Sequence, residues 1–165
     1  MAVTVREFGP DDWKLFRDIR LRALADAPYA FGSTFDEERA QPELWWRERL
    51  ARGPDVAGFS ALETERWIGI ARVFVGREEE PSVANLVSMW VDPAFRGRGV
   101  GRALVERVFE WAREHGATRV DLWVTETNEP AIRLYESCGF VRGEGRQPLP
   151  SDPSLGEVAM HRPLA

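Results

Sequence analysis

The sequence has one cysteine, Cys138, and two histidines, His115 and His161. A single cysteine excludes an internal disulfide. Neither histidine has flanking ligands at metal-binding spacing, so no metal site is expected. No apolar run approaches the roughly 18–20 residues of a membrane span. Met1 to Glu7 lacks the basic start and apolar run of a secretion signal. The expected compartment is therefore the cytoplasm. A basic excess is also missing: the formal net charge is -5, which argues against a nucleic-acid partner. Internal repeats and low-complexity tracts are absent too.

What is present is an ordinary globular composition, 44% hydrophobic and 30% charged over 165 residues. One domain over residues 1–165 is expected, long enough to bury a core without staples. Seven tryptophans must pack somewhere. Val3, Val5 and Phe8 suggest a first strand. Gly9 to Asp12 leads into a helix whose Trp13, Phe16, Ile19 and Leu24 share a face. An aromatic loop, Tyr29 to Phe35, follows, and Pro42 starts a second helix carrying Leu44, Trp45, Trp46 and Leu50. Val56 to Leu62 and Trp67 to Val75 read as a hairpin. Gly76 to Pro81 is a charged loop, and Val83 to Val91 a strand closed by Asp92-Pro93. A long helix runs from about Gly99 to His115. Arg119 to Thr125 is a strand, Asn128 to Ser137 a helix, and Phe140 begins another strand. Gln147 to Ser154, with three prolines, reads as a loop before a last strand, Leu155 to Leu164. Strands alternating with helices in the second half predict an α/β fold, a mixed sheet with helices on both faces.

The strongest local signal is Asp92-Pro93-Ala94-Phe95-Arg96-Gly97-Arg98-Gly99-Val100-Gly101-Arg102, between a strand and an amphipathic helix. Glycines at a helix start let backbone approach a ligand closely. The unpaired N–H groups and the helix dipole then favour an anion, above all a phosphate. Arg96, Arg98 and Arg102 add positive charge. Two familiar phosphate motifs do not fit. The dinucleotide fingerprint needs glycine at Arg102, and the P-loop needs Gly-Lys-Ser/Thr where Arg102-Ala103-Leu104 stands. A nucleotide-binding oxidoreductase fails on this spacing.

Arg96-x-x-Gly99-x-Gly101 matches the Gln/Arg-x-x-Gly-x-Gly/Ala signature of the GCN5-related N-acetyltransferases (GNAT), which this chain resembles. A second motif of that family follows in order: Asn128-x-x-Ala131-x-x-Leu134-Tyr135-x-x-x-Gly139-Phe140. The resemblance implies a mostly antiparallel central sheet and the acyl-CoA N-acyltransferase fold. It implies acetyl-CoA as acyl donor, with no metal, and a primary amine as acceptor: a small molecule, an amino acid, an antibiotic or a protein amine. It also admits a homodimer. By resemblance, the backbone amides around Gly97 to Gly101, including Val100, hold the coenzyme A pyrophosphate, with Arg102 also at the cofactor. Met89, Trp90 and Val91 present backbone to the pantetheine arm where two strands splay, and an amide there polarises the thioester carbonyl.

Tyr135 occupies the family's general-acid position, where a phenol donates to the departing thiolate. Asn128 is expected to cap its helix and touch the cofactor. Many relatives carry a glutamate on or near the fourth strand, but Asn85 to Val91 has no carboxylate. Glu126 is the nearest motif-linked candidate for the base. Cys138 is read as structural. Tyr29, Phe31, Phe35, Trp45, Trp46 and Phe74 are candidates for lining the acceptor site. The leading expectation is direct transfer with both substrates bound. The alternative is a non-catalytic acyl-CoA sensor or interaction module on the same fold.

Overall fold

The structure, a computed structural model, describes residues 3–51, 53–76 and 82–164. Seven strands form one sheet in the order β1 (Thr4–Phe8), β2 (Val56–Glu63), β3 (Arg66–Val75), β4 (Val83–Val91), β5 (Arg119–Thr125), β7 (Asp152–Pro163) and β6 (Val141–Leu149). All neighbours are antiparallel except β4 and β5. A parallel pair needs a crossover, and α4 (Val100–Glu114) supplies it. The other helices are α1 (Trp13–Asp26), α2 (Phe35–Arg39), α3 (Glu43–Arg49) and α5 (Glu129–Ser137). The mixed, mostly antiparallel sheet with helices on both faces is the expected architecture.

Two apolar clusters lie on the two faces of the sheet. On one, α4 and α5 bury Leu104, Val105, Val108 and Ile132 against Phe59, Ile68 and Leu86. On the other, α1 and α3 bury Phe16, Ile19, Leu24 and Trp46 against Trp67, Ile70 and Trp90. Each such side chain contributes about 1.5–3 kcal/mol by leaving water. Between β2 and β3 the chain turns through Thr64, at φ 54, which confirms the hairpin.

Two expectations need correction. The proline-rich stretch is largely strand, because β6 and β7 pair almost to their joining turn, with Pro148 opposite Gly156. β6 is an edge strand, where a missing N–H is tolerated. Pro153 lies beyond the part of β7 that pairs with β5, which begins at Glu157. A short helix, α2, also follows the aromatic loop, and its N-terminus is capped by the Thr34 hydroxyl accepting from the Glu37 amide. In the charged loop from Gly76 to Pro81, residues 77–81 fall outside the described residues.

Candidate active site

β4 and β5 pair only from Val83 to Asn85 with Arg119 to Asp121. Beyond that point the strands part. The cause is local to β4. Between Arg72↔Val87 and Ile70↔Trp90, β3 advances two residues and β4 three. The extra residue makes a β-bulge, with Ser88 at φ 55, and a bulge bends its strand. The edge of β4 facing β5 is therefore left without a strand partner after Asn85.

A cavity of about 370 Å³ fills this gap and runs to the start of α4 and the side of α5. Met89, Trp90, Val91, Arg96, Gly97, Gly99, Val100, Gly101, Arg102, Asn128 and Tyr135 all line it. These are the residues expected to hold the cofactor, with one exception. Arg98 is not on the wall; its guanidinium lies 5.6 Å from the Phe95 ring.

The glycine-rich turn is shaped by conformation more than by crowding. Gly97 and Gly99 take φ 76 and φ 83, and a Cβ at either would meet nothing within 4 Å. Gly99 is the N-cap of α4 and offers no side-chain cap. The amides of Val100, Gly101 and Arg102 thus lack intrahelical acceptors, and all three residues line the cavity. Gly101 differs. A Cβ there would sit 2.8 Å from Leu134 Cδ2, so this glycine also lets α5 pack closely on α4.

Arginines brace the turn. Arg96 donates from Nε to the Val91 carbonyl at 3.0 Å and from a terminal nitrogen to Asp26 at 2.8 Å. Trp90 Nε1 donates to the same Asp26 oxygen at 3.0 Å. Arg102 donates to the Ser137 carbonyl at 3.1 Å, joining α4 to α5. Asp92, which closes β4, accepts from the Ala94 amide at 2.9 Å and pairs with Arg22 of α1. Burial alone would raise its pKa, but the Ala94 amide and Arg22 hold it below the usual carboxylate value.

Tyr135 is buried on α5, edge-on to Phe140 with centroids 5.6 Å apart. Its hydroxyl makes no hydrogen bond among the described residues. Burial, with a smaller contribution from Cys138, pushes the phenol's pKa up. It therefore reaches the cavity as a protonated donor. Asn128 accepts from the Ala131 amide at 3.4 Å, capping α5 and lining the cavity together. Burial pushes the Cys138 thiol up, which disfavours a thiolate nucleophile.

Glu126 does not line the cavity. It sits past the end of β5, beside Gly156, and forms an ion pair with Arg146 of β6. Among the acceptor candidates, Tyr29 is on the cavity wall. Trp46 and Phe31 are core residues, Phe35 and Trp45 pack against that core, and Phe74 is exposed on the sheet. Ala27, Ala30, Phe95, Pro130, Ala131 and Leu134 complete the wall and were not anticipated. Small and apolar, most of them carry no chemical signal of their own. Leu134 and Ala131 lie within the second motif and could have been picked from it.

The sequence profile of the Acetyltransferase (GNAT) family matches residues 17–140. The chain belongs to this family. It is 36% identical over 144 residues to the mycothiol acetyltransferase of Thermomonospora curvata, covering 86% of this chain and 45% of that protein. The chain spans about half the length of the curated relatives it matches. A GCN5-related N-acetyltransferase structure from Kribbella flavida superposes with a TM-score of 0.80 at 28% identity, covering 99% and 98% of the two chains. The yncA structure from Salmonella typhimurium, solved with its cofactor acetyl-CoA, shares the fold at TM-score 0.76 and 21% identity, covering 100% and 95%.

Proposed function

We propose that this chain is an acetyl-CoA-dependent N-acetyltransferase that acetylates a primary amine by direct attack in a ternary complex. The observation that carries this reading is the cavity itself. It joins an uncapped helix start, a strand edge without a partner and a free phenol in one continuous space.

The residues divide the work by their chemistry. The amides of Val100, Gly101 and Arg102 hold the pyrophosphate, helped by the positive end of α4. The open edge of β4, from Met89 to Val91, takes the pantetheine arm by backbone pairing, and an amide there steadies charge on the thioester oxygen. The Val91 carbonyl is already bonded to Arg96, so the other backbone groups carry that pairing. Tyr135 donates its proton as the thiolate departs. Cys138 takes no part. Tyr29, at the cavity wall, faces the side from which an acceptor enters.

The test is an acceptor screen with acetyl-CoA, read by mass spectrometry of the products, with mycothiol acetylation included because of the relatives so named. Acetylated product with stoichiometric release of thiol is the expected result. Coenzyme A binding without transfer to any amine in the panel would favour the sensor reading instead.

A further inference from the structure

Attack by an amine requires a group that takes the ammonium proton, and Glu126 is turned away from the cavity. Another carboxylate, Glu157, is not on the cavity wall either, but its cross-strand partner Thr125 is hydrogen-bonded to Tyr29 and Asn128, which are. Glu157 of β7 is 9% exposed, yet it has no cationic partner among the described residues. Its hydrogen bond comes from Gln147 Nε2 to Oε1 at 3.0 Å. The other two buried carboxylates among the described residues, Glu38 and Asp92, both pair with arginines. A buried carboxylate without a counter-charge bears a desolvation cost that an incoming cation relieves.

Its place in the fold suits such a cation. The cross-strand partner of Glu157 is Thr125. Thr125 Oγ1 donates to the Tyr29 carbonyl at 2.6 Å, and the Asn128 amide donates to the Thr125 carbonyl at 2.9 Å. Tyr29 and Asn128 both line the cavity. Ser151 Oγ donates to the Phe31 carbonyl at 2.5 Å. The aromatic loop is thus tied to this corner of the sheet at Tyr29 and Phe31. Trp123 lies two residues back on β5, on the same face, opposite Ala159 and 44% exposed. Its ring crosses to β6, where a Cβ at Gly145 would meet it at 3.2 Å. Diagonal neighbours of this kind lie about 7–8 Å apart, within reach of long side chains. A carboxylate diagonal to a half-exposed indole on the same sheet face is a pairing suited to an alkylammonium.

We propose that Glu157 receives the acceptor's ammonium group beside Trp123 and takes its proton. This rests on the acetyl-transfer reading above. The ammonium loses one proton to the carboxylate, giving a neutral amine and a carboxylic acid. The nitrogen lone pair forms the C–N bond at the thioester carbonyl, and the C–S bond breaks with its electrons going to sulfur. Sulfur takes the Tyr135 proton, and the second proton lost from nitrogen restores the phenol. The favoured acceptor is a primary alkylamine, protonated in solution, on an apolar or aromatic body.

The probe is 2-phenylethylammonium, titrated calorimetrically into protein saturated with coenzyme A at neutral pH. Wild type should bind it, and Glu157→Gln should weaken binding at least tenfold, as should Trp123→Ala. With acetyl-CoA, turnover of 2-phenylethylamine should fall about 10²-fold or more in Glu157→Gln. Aniline, already neutral at that pH, should be acetylated equally by wild type and variant. Circular dichroism checks folding, and the exposed Trp123→Ala change carries the test if Glu157→Gln does not fold. Absent binding by wild type, or equal binding and turnover in Glu157→Gln, overturns the proposal. Failure to saturate the wild type with coenzyme A overturns the acetyl-transfer reading instead.

Discussion

At the scale of single residues, Tyr135 illustrates how position and environment combine. Its place seven residues after Asn128 was legible from the motif; its unpartnered hydroxyl was not. Tyr135→Phe keeps the ring and its packing on Phe140 and removes only the donor. Because the leaving thiol is itself fairly acidic, the expected fall in kcat is at the low end of the general-acid range, about 10²-fold or less. Acetyl-CoA affinity should stay unchanged. Burial raises the phenol's pKa, so the donor form persists from neutral into alkaline pH. Any alkaline limb of the pH–rate profile that survives in Tyr135→Phe therefore belongs to another group. Equal single-turnover rates in the two proteins would return Tyr135 to a packing role. Gly99 gives a second residue-level prediction. It has open space around its Cα but a left-handed backbone, so Gly99→Glu costs about 1–2 kcal/mol of strain and sets a carboxylate against the phosphate site. Coenzyme A affinity should drop more than tenfold by calorimetry while the fold survives. Gly101→Glu is a poorer probe, since the added side chain also collides with Leu134.

Among elements, α1, α2 and α3 are joined by one buried ion cluster. Glu38 of α2 accepts from Arg20 of α1 at 3.0 and 2.9 Å and from Arg49 at the end of α3 at 2.8 Å. Burial alone would raise its pKa, but Arg20 and Arg49 hold it below the usual value. Glu38→Gln strands two arginines and should destabilise the protein by about 3–5 kcal/mol, read from the urea midpoint. The sign of the pH effect follows from the lowered pKa of both Glu38 and Asp92. Their contribution is complete above the unfolded carboxylate pKa of about 4 and disappears as pH falls through the lower folded values. Acid unfolding of Glu38→Gln should accordingly be shallower than that of wild type below about pH 4. A parallel pair of curves would remove Glu38 from the acid transition. The strands and long helices were legible because their apolar periodicity is strong. The bulge at Ser88 was not, because one serine with positive φ leaves no compositional mark. The prolines at Pro148 and Pro153 misled because their tolerance depends on which strand is at the edge, a property of the assembled sheet.

For the molecule as a whole, the cavity is made by parts far apart in the chain: Tyr29 after α1, the bulged end of β4, the turn into α4, and α5. No one of them is a site alone, and the sequence could point to the proposed cofactor side only because two motifs happen to carry it. The proposed acceptor side is built from β5, β7 and the aromatic loop, which have no motif, so its residues could be named only from packing. Ligand binding should therefore couple these parts. Anything that binds the folded state alone stabilises it by RT ln(1 + [L]/Kd), about 2.7 kcal/mol at a hundredfold excess over Kd. With each kcal/mol worth about 2–4 °C in a chain of this size, coenzyme A at that excess should raise Tm by roughly 5–11 °C. S-acetylpantetheine, which keeps the thioester arm but lacks the pyrophosphate, should give a smaller shift at equal concentration, because it leaves the start of α4 unfilled. Gly99→Glu should abolish most of the difference between the two ligands. If full-length coenzyme A and the truncated arm shift Tm equally in wild type, the amides of Val100, Gly101 and Arg102 do not hold a phosphate, and the glycine-rich turn serves only to start the helix.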